Sequence, residues 1–262
     1  MKLEGKTAII TGTNPSTDPA GGVSGFGKHL TQALLQRDTF VVIADINDQL
    51  GQELEQEFNR SYPGKIAYFH CDVTKKSDLQ NLFRFTKAKF GTINIVCNNA
   101  GIIENTRFES NVQDNWKRVI DIDLTAVILG TRLAIEAFEK DGGGGVILNT
   151  ASIAGLVPVP LQPVYAAAKS GVVNFSRSLA HLKAKGIRVN AICPSFVKTA
   201  LTEKAIETGV PIRNWVPIEW VTKAFIMGIE DETLAGDCLR ITSQHGIDFP
   251  LNSKKPTITP KL

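Results

Sequence analysis

The chain has 262 residues, 43% hydrophobic and 21% charged, a composition that fits one large core and leaves little room for two comfortable domains. A net charge of +3 with no basic stripe interleaved with aromatics argues against nucleic acid and anionic membranes as partners. No apolar run reaches the roughly 20 residues of a membrane span, and MKLEGKTAIITG lacks the apolar region of a secretory leader, so a cytoplasmic protein is expected.

Short β-branched runs alternate with longer helical patterns along the chain. TAIIT (7–11), FVVIAD (40–45), IAYFHCDV (66–73), INIVCNNA (93–100), GVILNTAS (145–152) and RVNAICPS (188–195) read as strands, and DCLRIT (237–242) as a late one. Helical patterns lie between them at 25–37, 48–60, 77–90, 112–139 and 164–185, with shorter pieces near 200–208 and 217–230. Strands that are apolar throughout are buried on both faces, which predicts a parallel sheet between layers of helices. Right-handed crossovers then give an α/β, doubly wound Rossmann fold, with ligands at the carboxyl ends of the strands. No linker or repeat interrupts the pattern. A single domain is expected over 1–249, followed by an extended tail, PLNSKKPTITPKL, at 250–262.

The four cysteines (71, 97, 193 and 238) mostly sit in strand-like runs and read as buried small hydrophobes of a reduced protein. His29, His70, His181 and His245 show no ligand spacing with one another or with cysteine, so no metal is expected.

Residues 11–27 read TGTNPSTDPAGGVSGFG. With Thr13–Gly21 removed the join reads TGGVSGFG, a T-G-x-x-x-G-x-G turn between a strand and a helix. Glycine lets backbone approach a pyrophosphate, and the helix N-terminus offers free N–H groups and a positive dipole end. The inserted stretch is rich in turn formers and reads as an excursion from an intact turn that faces outward or lies over the ribose side of the cofactor, with Asp18 kept away from the phosphate. Asp45 ends FVVIAD about 20 residues beyond the glycines, where a carboxylate accepts from ribose hydroxyls. A 2′-phosphate there would face this carboxylate, and no Lys or Arg sits just before Gly25 or just after Asp45 to compensate, which favours NAD over NADP. Tyr165 and Lys169, four apart in VYAAAKSGVVNF, share a helical face. Ser152 ends the strand run thirteen residues before Tyr165.

The glycine turn, Asp45, CDV at 71–73, NNAG at 98–101, Ser152, Tyr-x-x-x-Lys and the Pro-x-x-x-x-Thr stretch at 194–199 together resemble the short-chain dehydrogenase/reductase family over nearly the whole chain. LVPVPLQPVYAAAKSGVVNFSRS, IRVNAICPSFVKTAL and LRITSQHGIDF are most similar to its branch of NAD-dependent hydroxyprostaglandin dehydrogenases. The resemblance implies hydride transfer between NAD and a secondary alcohol or the matching ketone, with Tyr165 as general acid/base. Tyrosine, with an ordinary pKa near 10, needs help at neutral pH, and Lys169 supplies a cation beside it.

By the same resemblance Ser152 holds the substrate oxygen and Gln162 contacts substrate, although Gln162 also reads as a polar loop residue before Pro163. Gly12, Ser24, Gly25, Phe26, Gly27, Asp45, Ile46, Asp72, Val73, Asn99, Gly101, Lys169, Val197 and Thr199 fall at cofactor-binding positions. The segment at about 200–230 falls on the substrate lid. Its Trp215 and Trp220 suit a fairly large apolar substrate such as a hydroxy-fatty-acid, steroid or terpenoid, or else pack in the core. A homodimer or homotetramer is implied through 112–139 and 164–185, where Ile128, Leu129, Leu133, Ala134, Val172, Val173 and Phe175 either form that interface or pack on the sheet.

Three departures stand out: the insertion, Asp123 in place of the family's active-site Asn, and Ser195 where Pro-Gly is usual. Asp123 either serves through its backbone carbonyl or turns its carboxylate on Lys169 and shields it. The insertion and Asp123 also leave room for two other readings: a fold member that binds cofactor without redox turnover, and one that performs cyclisation or isomerisation. An NADP-dependent carbonyl reductase is disfavoured by Asp45.

Overall fold

Eight strands form one sheet in the order β3-β2-β1-β4-β5-β6-β7-β8. The computed structural model describes residues 1–12, 25–104, 108–110, 116–207, 209–212, 214–252, 255 and 257–258. The strands are β1 (Thr7–Thr11), β2 (Phe40–Asp45), β3 (Ile66–His70), β4 (Ile95–Asn98), β5 (Gly145–Thr150), β6 (Ile187–Pro194), β7 (Cys238–Thr242) and β8 (Gly246–Asp248). The first seven pair in parallel and β8 runs antiparallel to β7.

The helices are α1 (Phe26–Leu35), α2 (Asp48–Ser61), α3 (Lys76–Phe90), α4 (Trp116–Ile120), α5 (Ala126–Asp141), α6 (Pro163–Ser178), α7 (Ala200–Glu207) and α8 (Ile218–Glu230). Alternating strand residues feed two cores. Ala8, Ile10, Val41 and Ile43 pack with α1, α2 and α8, while Ile9, Val42 and Ala44 pack with α3 and α5. This two-faced burial is why the central strand positions, Ile9, Ile10, Val41, Val42 and Ile43 among them, are apolar in unbroken runs. The C-terminus of α8 is tied to the sheet. Arg188 of β6, buried, donates to the carbonyls of Gly228, Ile229, Asp231 and Leu234 and closes the C-terminus of the helix.

Several expectations change in detail. The helix expected over 112–139 is α4 and α5 joined by a π-turn at Asp121–Thr125. The one expected over 164–185 ends as α6 at Ser178 and continues as a 3-10 stretch over Ala180–Lys185. The third strand stops at His70, short of Cys71–Val73. β8 has no counterpart among the expected strands, and Ile258 of the tail bridges to its Ile247. All four cysteines are free and buried. Of the apolar positions on α5 and α6, Ala134, Val172 and Val173 are buried against the sheet, whereas Ile128 is exposed. Among the described residues no helix is long and apolar enough to cross a membrane.

Candidate active site

The strand order reverses between β1 and β4, so their carboxyl ends open a crevice for a ligand. Gly12 follows β1 with φ +66°, and a Cβ there would stand 2.5 Å from the Ala100 Cα. Only glycine fits both that conformation and that approach. The Asn99 amide donates to the carbonyls of Thr11 (3.1 Å) and Gly12 (2.8 Å) and accepts from the Thr150 hydroxyl (3.1 Å). Asn99 therefore works as a clamp between β1 and β5, and this clamp walls the crevice.

At the next strand end Asp45 accepts from the Asn47 amide at 3.0 Å, and its carbonyl takes the Tyr68 hydroxyl at 2.9 Å. Ile46 beside it is exposed. Asp72 lies after β3. Burial opposes its ionisation, but the hydroxyl and amide of Thr74 and the Lys75 ammonium hold it below the usual carboxylate range. Val73 packs on the α3 and α5 side. Gly25 is the N-cap of α1, and no acidic residue occupies the first turn of that helix. Phe26 and Gly27 begin the helix, with Phe26 against the core. Ser24, Asp18 and the rest of the insertion lie outside the described residues. A glycine that must approach closely, an open helix start and an acid at the end of β2 form a lining that fits a dinucleotide.

Across the crevice, Ser152 follows β5 and Tyr165 and Lys169 project from α6. The Lys169 Nζ stands 5.6 Å from the centre of the Tyr165 ring and donates to the Thr150 carbonyl at 2.8 Å. Ser152 accepts from the Ala154 amide at 3.1 Å. Its hydroxyl faces Tyr165 and favours the phenolate. The three residues fixed only by sequence spacing thus converge on one point.

Asp123 converges there too, and its carboxylate turns on the lysine. The π-turn carries Asp123 inward, where it is fully buried; such turns recur at functional sites. Its Oδ2 lies 3.0 Å from Lys169 Nζ, and its Oδ1 accepts from the Ile102 amide at 2.9 Å. A side chain at Gly101 would reach within 3.2 Å of the carboxylate and 3.4 Å of the ammonium, so Gly101 makes room for the pair. Burial pushes Asp123 up, against the pull of Lys169. Burial lowers Lys169, but Asp123 and Tyr165 outweigh it and the ammonium is held above its ordinary value. Tyr165 is raised, chiefly by burial; Lys169 opposes this, Asp123 adds to it, and the Ser152 hydrogen bond opposes it.

The remaining positions are buried at the base of the segment after β6. Val197 is sealed, and its carbonyl accepts from the Thr202 hydroxyl at 2.6 Å. The Thr199 amide donates to that same hydroxyl at 3.0 Å. Val197 also lines a cavity of about 300 Å³ with Lys198, Trp215, Val216, Pro217 and Ile218. The two tryptophans therefore part company: Trp215 walls the cavity and Trp220 packs against the core. Ser195 departs from Pro-Gly without strain. Among the described residues only Asp38 has positive φ outside glycine, and the Ser195 amide bonds the Ile241 carbonyl at 2.8 Å. Gln162 is buried, and its Nε2 has no hydrogen-bond partner among the described residues.

Sequence reasoning passed over Glu104. It is buried after β4, and its carboxylate accepts from the amides of Val164 and Tyr165 at 3.1 and 2.8 Å. The signal was indirect: α6 opens Gln-Pro-Val, without a Ser, Thr, Asp or Asn to cap it.

The switch-point crevice and the Ser152, Tyr165, Lys169 cluster define a short-chain dehydrogenase. The family profile described as short chain dehydrogenase matches residues 19–209, and the chain belongs to that family. It is 35% identical over 270 residues to the 15-hydroxyprostaglandin dehydrogenase [NAD(+)] of Rattus norvegicus, covering 95% of each chain. It is 36% identical over 199 residues to 3beta-hydroxysteroid dehydrogenase 2 of Eggerthella lenta, covering 75% of this chain and 73% of that one. Among solved structures, a short-chain type dehydrogenase/reductase from Mycobacterium marinum superposes with a TM-score of 0.81 at 25% identity, over 92% of this chain and 95% of the other.

Proposed function

We propose that the protein is an NAD-dependent oxidoreductase acting on a secondary alcohol or the matching ketone, with Tyr165 as general acid/base. The observation that carries the reading is the convergence of Ser152, Tyr165 and Lys169 beside a crevice whose far end holds Asp45. When bound, the dinucleotide supplies the acceptor or donor of hydride. The chain's own residues do the rest. Ser152 orients the substrate oxygen, Tyr165 exchanges its proton, and Lys169 favours the phenolate. Val197 and Thr199 take the carboxamide end, Asp72 and Val73 take the adenine, and Asn99 lines the cleft between them.

The raised Tyr165 leaves the phenol protonated at neutral pH. In that form it gives a proton to a developing alkoxide, so ketone reduction runs on the resting state and alcohol oxidation needs alkaline conditions. The apolar residues of the segment after β6 favour a fairly large apolar substrate. Phe196, Leu201, Ala205 and Val210 pack in one cluster with Tyr165, and the unpartnered amide of Gln162 supplies a polar contact near it. Helix α7 acts as the lid, whereas α8, the rest of the segment expected over 200–230, is a core helix with Val221, Ala224, Phe225 and Ile229 sealed.

Fluorescence titration with NADH and NADPH, followed by a screen of hydroxy-fatty-acid, steroid and terpenoid alcohols, tests the proposal. Tyr165→Phe should lose about 10²–10⁴-fold in turnover while still binding NADH. The neutralising contact of Asp123 with Lys169 favours one second reading, a cofactor-binding protein with non-redox catalysis. That reading predicts NADH binding with no alcohol-dependent NADH formation at any pH.

A further inference from the structure

Helix α6 starts at Pro163, which has no N–H. The Ala166 amide already bonds the Gln162 carbonyl at 3.0 Å, and Gln162, at the N-cap, offers no side-chain bond. That leaves the amides of Val164 and Tyr165 as the donors a helix start exposes. Glu104 takes both, one on each oxygen, from 61 residues before Tyr165. Two backbone donors and the positive helix end offset part of the cost of burying this carboxylate, and burial still holds its carboxyl above the usual range.

A cap supplied by a neighbouring residue would satisfy the helix locally. A cap supplied from the loop after β4 ties the helix to another part of the site. That loop is itself held at Ile102, whose amide donates to Asp123, and Asp123 grips Lys169. Residues 102–104 thus touch the ion pair at one end and the backbone of Tyr165 at the other.

We propose that Glu104 is a positioning residue for Tyr165: by clamping the first turn of α6 to the β4 loop it sets the phenol's place relative to Lys169 and Ser152. The proposal rests on the reading of Tyr165 as general acid/base. Positioning of this kind acts on the chemical step, since a shift of about 1 Å at a reacting group can cost about 100-fold.

Glu104→Gln keeps the shape but turns one acceptor into an amide NH2 facing a backbone N–H. Glu104→Asp keeps both acceptors and draws them back by one methylene. The expected result for Glu104→Gln is a kcat lowered by about 10- to 100-fold, with KM for NAD and the NADH dissociation constant unchanged. Faster hydrogen exchange at the Val164 and Tyr165 amides is expected with it, and Glu104→Asp recovers part of kcat. Thr86→Val removes a buried hydroxyl bond in α3 and serves as the control for simple loss of stability.

A Glu104→Gln kcat equal to the parent's, or lowered no more than in the Thr86→Val control, overturns the proposal. So does a loss carried by KM alone. Exchange needs no turnover: parental protection of Val164 and Tyr165 in Glu104→Gln overturns the clamp even in a protein without activity. A Tyr165→Phe variant as active as the parent sinks the catalytic reading instead.

Discussion

The Lys169 ammonium and the Asp123 carboxylate stand 3.0 Å apart, both sealed from solvent. A lysine in this place helps a neighbouring phenol lose its proton, but an anion against it cancels much of that help. Tyr165 is raised first by burial, Lys169 works against this, and Asp123 reinforces it. Of the groups that face the phenol, Lys169, Asp123, Ser152 and Cys193, Asp123 is the carboxylate.

Asp123→Asn should therefore shift the pH profile. Without the carboxylate, Lys169 acts on Tyr165 unopposed and the phenol titrates at lower pH. The rising limb of kcat/KM for alcohol oxidation moves to lower pH, and the falling limb for ketone reduction moves with it. Superimposable profiles for parent and variant would refute this account. Asp123→Ala leaves a buried ammonium with the Thr150 carbonyl as its remaining hydrogen bond, and urea unfolding should show a loss of about 3–5 kcal/mol.

Gly12→Ala tests the crevice. The new methyl meets the Ala100 backbone at 2.5 Å, and left-handed strain adds about 1–2 kcal/mol. The strand end must shift, and with it the wall that Asn99 builds from the Thr11 and Gly12 carbonyls. NADH affinity should fall about tenfold or more, equivalent to about 1.4 kcal/mol, while far-UV circular dichroism stays that of the parent. An unchanged dissociation constant would place the dinucleotide elsewhere.

Arg188→Met separates stability from chemistry. The guanidinium closes the C-terminus of α8 through four carbonyls. Burial lowers its affinity for the proton, against the support of Glu232 and Asp231. Methionine fills the volume but leaves those carbonyls unpaired, at a cost of about 3 kcal/mol or more. Denaturant titration should show that loss with kcat preserved at low temperature. A midpoint equal to the parent's would mean water replaces the cap.

The first seven strands were legible because burial on both faces gives them short unbroken apolar runs, as Val41 to Ala44 illustrate. β8 was hidden: three residues, Gly246–Asp248, carry no period, and the strand is held by tertiary contacts such as the Arg240–Asp248 pair. The inward turn of Asp123 was also hidden, because periodicity assumes a regular helix and the π-turn at Asp121–Thr125 breaks the phase. Tyr165, Lys169 and Ser152 were legible through a resemblance, which fixes residue types at spacings. Glu104 was not, since its partners, the amides of Val164 and Tyr165, are backbone groups that leave no mark in sequence. Arg188 opened an expected strand, but its carbonyl partners on and after α8 leave no mark in sequence either.

Cofactor choice gives the remaining test, and it turns on two acids. Asp45 ends β2 with one oxygen on the Asn47 amide and its carbonyl on the Tyr68 hydroxyl, so the strand end is fixed. Asp48, at the start of α2, accepts from Tyr68 at 2.8 Å and pairs with His70 at 2.7 Å, and the Tyr68 and His70 bonds hold its carboxyl below the usual range. Asp45→Ser removes an ionic hydrogen bond to the ribose, typically about 1.5–3 kcal/mol, so kcat/KM with NAD should fall about tenfold or more. The variant still presents Asp48 to a 2′-phosphate, and NADP should gain less than NAD loses. The ratio of the two kcat/KM values, measured at fixed ionic strength, should move toward NADP mainly through the NAD arm. If NAD kinetics are untouched, Asp45 does not hold the ribose. If NADP rises to match NAD, Asp48 does not face the phosphate site.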